Sequence, residues 1–135
     1  MNLKDILSQD QDLTIKDLQR LQGEYDDRFV AGKGFVGFAK VRHTYAHMGK
    51  LMGRLANYVH DVEEGREIFD EDIRKKVIPD LLVYACWLAK EFDVNLDEQY
   101  LTRFLDNLKR LHSGEISVEE FEALEKIVNR KLERF

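Results

Sequence analysis

The longest regular pattern of apolar residues in the chain runs from Phe38 to Glu64. Within it, apolar residues recur in alternating steps of four and three, a spacing that lines one side of an α-helix. These residues, here called the apolar seam, are Val41, Tyr45, Met48, Met52, Leu55, Val59 and Val62. Leu51 and Tyr58 lie on a flank of the seam, so the apolar surface is broad enough to touch more than one neighbouring helix.

A second side of the same predicted helix is wholly polar. Its residues, here called the polar row, are His43, His47, Lys50, Arg54, Asn57 and Asp61. Below about pH 6.5 both imidazoles add to the charges of Lys50 and Arg54, so the row becomes strongly positive and attracts phosphate. Lysine offers a compact charge and arginine a bidentate fork. The alternative is an ordinary solvated helix face.

The rest of the chain also shows helical spacing. Capping signals at Thr14, Asn95 and Ser117 open three further helices, which run to about Phe29, to Leu111 and through Leu132. No segment alternates apolar and polar residues over any length, as strands do. The pattern therefore predicts an all-α fold, a helical bundle of four to five main helices.

Pro79 stands before the most apolar run of the chain, DLLVYACWLAKEF. Proline lacks an amide hydrogen and clashes with the preceding turn, so we expect it to interrupt the helical residues before it and to occupy the first turn of a new helix. Because this run is apolar almost all round, we expect its helix to be buried on most sides.

The 135 residues fit one domain. We expect a single domain over 1–135, with a poorly defined N-terminal segment over 1–13 and a helical appendage over 113–135. The net charge of −5 argues against general nucleic-acid binding. Cys86, the only cysteine, lies in an apolar run and is expected to be a small buried hydrophobe. Without a signal peptide or an apolar run of about 18 residues, we expect a cytoplasmic protein without membrane partners.

Signals of catalytic chemistry are weak. His43 and His47 are spaced to hold one metal ion, but the glutamate of the zinc-protease motif is missing between them and no third ligand is indicated. Histidines that are solvated or hydrogen-bonded are favoured instead. A run of carboxylates ends the long helix and is expected to be solvated. Its members are Asp61, Glu63, Glu64, Glu67, Asp70, Glu71 and Asp72.

Between about Leu18 and Leu111 the layout resembles the MazG-like all-α nucleoside triphosphate pyrophosphohydrolases. In that family one helix carries Glu-Glu-x-x-Glu, the next opens with Glu-x-x-Asp, and a third carries Asn and basic residues. The matching stretches here are KLMGRL at 50–55, VIPDLL at 77–82, and Asn107 with Arg110. The most specific part of the match is LLVYACWLAKEFDVNLDEQY, an apolar helix with a short link and a renewed helix.

The resemblance implies a MazG-like bundle in which four carboxylates hold magnesium against the triphosphate. Here Lys50, Leu51 and Arg54 take the three Glu positions of the first motif and Val77 takes the Glu position of the second, so of the carboxylates in the two motifs only Asp80 is left as a metal ligand. Magnesium needs hard oxygen ligands, and one carboxylate does not assemble a site. Magnesium is therefore expected as a cofactor only if the family activity is retained.

The favoured interpretation is a relative of these enzymes that binds a nucleotide or phosphate. Its predicted binding residues are His43, His47, Lys50, Arg54, Asn107 and Arg110. Two alternatives stay open, an active pyrophosphohydrolase with an atypical site and a structural or regulatory helical oligomer. The C-terminal stretch LKRLHSGEISVEEFEALEKIVNRKL is similar to the SHOCT hairpins that promote oligomerisation. Because apolar faces outnumber what one thin bundle encloses, we expect a homodimer or homotetramer.

Overall fold

The computed structural model describes residues 2–135, which are almost entirely helical. The α-helices in this part of the chain are α1 (Leu3–Leu7), α2 (Ile15–Phe29), α3 (Gly37–Glu63), α4 (Ile78–Glu91), α5 (Leu96–His112) and α6 (Val118–Leu132). A 3-10 turn, Ala31–Lys33, follows α2, and a π-helical turn, Ile73–Val77, precedes α4. Residues 2–135 contain no strand, so the predicted all-α class is confirmed.

The chain divides into two compact units. The first ends at Val94, and within it α4 packs against both α2 and α3. The second, Asn95–Phe135, consists of α5 packed against α6, and the predicted appendage over 113–135 is its C-terminal part. The predicted N-terminal segment, 1–13, holds the short helix α1, while Met1 lies outside the described residues. Across residues 2–135, no helix combines the length and the apolar character that a membrane crossing requires.

The helices begin and end where local signals in the sequence place them. Thr14 Oγ1 accepts a hydrogen bond from the Asp17 amide at 3.1 Å, and the Asp17 carboxylate accepts one from the Thr14 amide at 3.0 Å. Asn95 and Ser117 cap α5 and α6 through their side chains. Gly65, just beyond α3, has a φ of +70°, a conformation that glycine adopts without steric cost. The capping predictions at Thr14, Asn95 and Ser117 are confirmed.

Contrary to the expectation from the sequence, Pro79 does not break the helical path. The chain is helical from Glu71 to Glu91, because the π-helical turn carries it to the proline. In that turn the Ile78 amide donates to the Ile73 carbonyl, five residues back. Pro79 then occupies the first turn of α4, a position that tolerates its fixed φ and its missing amide hydrogen.

The helix α4 is less buried than its composition predicts. Cys86 and Ala89 are buried, as expected of a cysteine that packs as a small hydrophobe. However, Leu82 is 43% exposed, and the other apolar residues of the run within α4 are only half-buried, so the helix is partly and not fully enclosed. Within the first unit α2 and α3 are its main helical neighbours, and they leave apolar positions of α4 uncovered.

The orientation of α3 decides what the apolar seam can do. The residues that α3 buries in its own unit are Lys40, Thr44 and Leu51. Seam residues face away from them, because Tyr45 is 77% exposed and Met52 45% exposed. Tyr45, Met52, Val59 and Val62 thus form the outer side of the helix, while the other seam residues are half-buried. In the polar row, His43, His47 and Arg54 are half-buried, whereas Lys50 and Asn57 are exposed.

Candidate functional site

The first half of the polar row packs on aromatic rings. The ring centroid of His43 lies 4.7 Å from that of Phe35, 4.3 Å from that of His47 and 6.2 Å from that of Trp87. His47 stacks on Tyr84 at 5.7 Å, and Tyr84 meets Trp87 edge-on at 5.5 Å. We call these five residues the His–aromatic cluster. It joins α3 to α4, so His43 and His47 are half-buried and do not lie on a solvated face.

The cluster shifts the titration of two of its members. Burial lowers the pKa of His47 below its ordinary value of 6.5, and the nearby His43 and Lys50 lower it further. Burial also raises the pKa of Tyr84, with the charge of Asp80 adding to the effect. Both side chains are therefore held in their neutral forms near pH 7. A neutral imidazole is a weaker ligand for phosphate than an imidazolium, so a phosphate role for His47 stays a prediction.

Arg54 already has an anionic partner. Its Nε donates to Asp72 Oδ2 at 2.9 Å, and its Nη2 contacts Asp72 Oδ1, so the guanidinium binds the carboxylate bidentately. This pairing raises the pKa of Arg54 and lowers that of Asp72. An incoming phosphate would have to replace the Asp72 carboxylate or share the guanidinium with it. Lys50, one turn earlier, is exposed.

A small pocket of about 220 Å³ opens beside Arg54, between the second half of α3 and the start of the helical segment that leads to α4. Its lining combines polar and apolar side chains, namely Arg54, Asn57, Tyr58, Asp61, Ile68, Phe69, Asp72 and Ile73. The volume is below the roughly 300 Å³ at which pockets for drug-sized ligands begin. It suits a phosphate or pyrophosphate group better than a whole nucleotide.

Asp80, the predicted metal ligand, is half-buried and acts electrostatically on Arg54 and Tyr84. Within residues 2–135 no group of three or more His, Cys, Asp or Glu side chains is arranged to hold a metal ion. The described side chains therefore do not assemble the multi-carboxylate magnesium site that the resemblance implies.

Asn107 and Arg110, the remaining predicted binding residues, belong to α5 in the second unit. Arg110 Nη2 donates to Asn107 Oδ1 at 3.2 Å, so the two side chains bind each other across one turn of helix. Both residues lie on a helix that has no fully buried side chain. Their participation in a common site with the polar row stays a prediction.

A cluster of buried charged groups was not predicted from the sequence. The Lys40 side chain is 2% exposed, and its ammonium contacts the carboxylate of Asp26, also 2% exposed, and Glu91 Oε1 at 3.3 Å. The same ammonium lies 5.4 Å from the ring centroid of Trp87. We call Asp26, Lys40 and Glu91 the buried triad. It joins α2, α3 and α4 at one point beside the His–aromatic cluster.

Neighbouring groups complete the triad. The Gly37 amide donates to Glu91 Oε2 at 3.0 Å, so the glutamate also binds the N-terminal end of α3. Lys90 Nζ lies 3.9 Å from Asp26 Oδ2. Burial lowers the pKa of Lys40, and the hydrogen bond and charge of Glu91 oppose that effect. Asp26 Oδ1 has no hydrogen-bond partner among residues 2–135, which makes Asp26 dependent on its ion pair.

A sequence signal for the triad exists in retrospect. Lys40, Thr44, His47, Leu51 and Arg54 follow each other in steps of four and three, the same spacing as the seam. Because this row begins with a lysine and mixes polar with apolar residues, periodicity alone does not identify it as the inner side of α3.

Comparisons of the sequence with protein-family models and with curated proteins, and of the fold with solved structures, found no match. The MazG-like and SHOCT-like resemblances therefore rest on their motifs alone.

Proposed function

We propose that the chain functions as a structural or regulatory homo-oligomer, a dimer or tetramer of MazG-like helical subunits, and not as a pyrophosphohydrolase. The observation that carries this proposal is the outward orientation of the apolar seam. An amphipathic helix normally turns its apolar stripe to the core. Here α3 turns a row with Lys40 and Thr44 inward and leaves Tyr45, Met52 and Val59 exposed.

The seam is long and partly exposed, because Tyr45, Met52, Val59 and Val62 are exposed while Val41, Met48 and Leu55 are half-buried. It covers three heptads of α3, from Val41 to Val62, and a seam of that regularity is the sequence pattern by which helices pair. Large contiguous apolar patches on a soluble protein usually mark an interaction surface. A second copy of the chain brings an identical seam, so a closed symmetric assembly covers both at once.

Light scattering on purified protein tests the proposal. An obligate assembly buries on the order of 2,000 Å² or more, so a dimer or tetramer is expected to persist well below 100 μM. A Met52→Glu variant, which puts a charge in the seam, should shift the mass toward the monomer. A wild-type monomer at about 100 μM would contradict the proposal.

A second candidate function is the binding of a phosphate-containing ligand, such as a nucleotide, at the polar row. The specific observation that favours it is the pocket beside Arg54, with Lys50 exposed one turn away. A guanidinium that holds a carboxylate bidentately has the geometry to hold a phosphate in the same way.

Thermal stability in low salt tests this candidate. Pyrophosphate or a nucleoside triphosphate at millimolar concentration should raise the melting temperature if the site exists. Lys50→Ala combined with Arg54→Ala should remove the shift while the fold is preserved by circular dichroism. An unchanged melting temperature with every ligand would rule out the site at these concentrations.

A further inference from the structure

We infer that two copies of the chain pair through α3 in antiparallel orientation, with the two-fold axis passing beside Met52 and Gly53. The inference rests on the self-association proposed above and adds its geometry. It follows from the difference between the two flanks of the apolar seam, from the charges at the two ends of the helix, and from the small residues between them.

The two flanks of the seam differ in accessibility. On one side the seam is bordered by Thr44 and Leu51, which are 0% and 3% exposed because their own chain covers them. On the other side the border residues recur every seven positions and are all exposed, namely Arg42, Gly49, Ala56 and Glu63. We call the second set the open flank. A partner helix can reach the seam only from this side.

This asymmetry selects the direction of the partner. In a parallel pair each flank of one helix meets the opposite flank of the other, so the open flank would face Thr44 and Leu51. Those residues lie inside their own unit, and the neighbouring helices would obstruct the partner. Reversing one helix exchanges its flanks, so an antiparallel pair can be centred on the exposed residues Tyr45, Met52 and Val59 and on the open flank of each copy. In that arrangement the two open flanks meet, and Thr44 and Leu51 stay outside the contact.

The charges on the open flank agree with this direction. Arg42 lies near the start of α3 and Glu63 at its end. When α3 is antiparallel to its copy, Arg42 of each chain lies beside Glu63 of the other, so one opposite-charge pair forms at each end of the helix pair. A parallel pair would instead bring Arg42 beside Arg42 and Glu63 beside Glu63, and like charges oppose association.

The residues between the two charges allow a close approach. With Arg42 opposite Glu63, Gly49 of one copy lies opposite Ala56 of the other. A Cβ placed on Gly49 or Gly53 would meet nothing within 4 Å in the chain itself, so this side of the helix is open. Glycine inside a helix lowers the stability of the helix by roughly 0.5–1 kcal/mol relative to alanine. No contact within the chain explains why Gly49 and Gly53 are glycines.

Engineered disulfides test the orientation directly. Tyr45 and Val59 are separated by about 21 Å along the helix at 1.5 Å per residue, whereas a disulfide needs Cα atoms within about 7 Å. After mild oxidation we expect Met52→Cys to cross-link with itself. Tyr45→Cys and Val59→Cys should not cross-link alone but should do so when the two variants are mixed, unfolded and refolded together. Wild-type protein is the control, because its Cys86 is buried.

Each outcome is decisive. Self-cross-linking of Tyr45→Cys and Val59→Cys separately would show a parallel pair and overturn the inference. A dimer by light scattering without any cross-link would assign the interface to another surface, which overturns the antiparallel pair but not the proposed self-association. A monomer in which the cysteine of Met52→Cys resists thiol reagents would assign the seam to another part of the same chain and overturn both.

A charge reversal provides an independent test. Arg42→Glu and Glu63→Arg should each weaken dimerisation, by about tenfold, because every dimer contains two such pairs. The double variant restores opposite charges and should return the dissociation constant to near the wild-type value. Lys50→Glu makes the same change of charge away from the open flank and serves as the matched control. Failure of the double variant to recover affinity would contradict the Arg42–Glu63 contact.

Discussion

Lys40 Nζ lies 3.3 Å from Glu91 Oε1, which links the start of α3 to the end of α4 inside the first unit. The same ammonium contacts Asp26 of α2, so one buried cation holds three helices. Removing ions from water is costly, and only their mutual attraction and additional hydrogen bonds compensate. The buried triad therefore fixes how these helices meet more than it adds to their stability.

Lys40→Met tests this point. The substitution leaves the Asp26 carboxylate buried without its cation, so we expect the free energy of unfolding to fall by about 3–5 kcal/mol. Urea unfolding at one fixed protein concentration measures the loss. Lys50→Met, an exposed lysine of the same helix, is the control and should change stability by no more than about 0.5 kcal/mol.

The double variant Asp26→Leu with Lys40→Met removes both charges and should recover a large part of the loss, because apolar pairs of similar volume replace buried ion pairs well. A loss below about 1 kcal/mol for Lys40→Met alone would show that Asp26 finds another partner or becomes protonated without penalty.

The His–aromatic cluster predicts a pH dependence of stability. The pKa of His47 is lowered in the folded state, so between that value and the ordinary value of 6.5 the unfolded chain binds more protons than the folded one. The stability that the neutral His47 contributes to the fold is fully present above pH 6.5 and is lost as the pH falls toward the pKa of His47 in the folded state. The groups that face His47 are His43 and Lys50 on α3 and Tyr84 on α4.

Denaturation between pH 5 and pH 7.5 measures this effect. His47→Phe keeps a ring against Tyr84 but removes the titration, so its stability should depend less on pH than that of the wild type. His60→Gln, at an exposed position of the same helix, should leave the wild-type dependence intact. Equal slopes for wild type and His47→Phe would show that His47 does not carry the effect.

The absence of a fitting carboxylate set near Asp80 predicts the result of an enzymatic assay. We expect no magnesium-dependent release of pyrophosphate above background with any common nucleoside triphosphate, because one carboxylate beside Arg54 does not provide enough ligands to hold the catalytic ion. A panel of nucleotides and divalent cations, with colorimetric detection of pyrophosphate, provides the measurement. Robust turnover that Asp80→Asn abolishes would restore the alternative of an active enzyme with an atypical site.

The pairing of Arg54 with Asp72 makes a prediction for phosphate binding. If Arg54 binds phosphate, the Asp72 carboxylate competes for the same guanidinium, so Asp72→Asn should tighten pyrophosphate binding. Arg54→Gln should abolish it. Calorimetric titration in low salt measures both, with Asp70→Asn, a nearby exposed carboxylate, as the control for net charge. Weaker binding by Asp72→Asn would mean that Asp72 positions Arg54 for the ligand.

The helices themselves could be predicted from the sequence because their signals are local. The capping pair Thr14 and Asp17 lies three residues apart, and the stop at Gly65 depends on one backbone angle. Such features act within a single turn of chain. They need no knowledge of what the helix packs against, and the starts of α2 and α5 and the end of α3 follow from them.

The inner side of α3 could not be predicted because it depends on distant residues. Periodicity identifies a row at Val41 and Met48 and another at His43 and His47, but not which one meets α4. That choice is made by Lys40, whose partners Asp26 and Glu91 lie on other helices. Charged residues are rarely buried unless paired, so an isolated lysine at the start of a helix is normally assigned to the surface.

The exposed seam predicts that folding and association are coupled. For a dimer, a hundredfold increase in concentration adds about 2.7 kcal/mol of apparent stability, which for a chain of this size raises the melting temperature by several degrees. Scanning calorimetry from micromolar to near-millimolar protein measures this shift. Met52→Glu should lower the melting temperature and make it independent of concentration, because a charge in the seam prevents pairing. Asn57→Glu, on the polar row of the same helix, should retain the shift. If the wild-type melting temperature did not change with concentration, the outward seam would have no partner copy, and its exposure would have to be explained within the single chain.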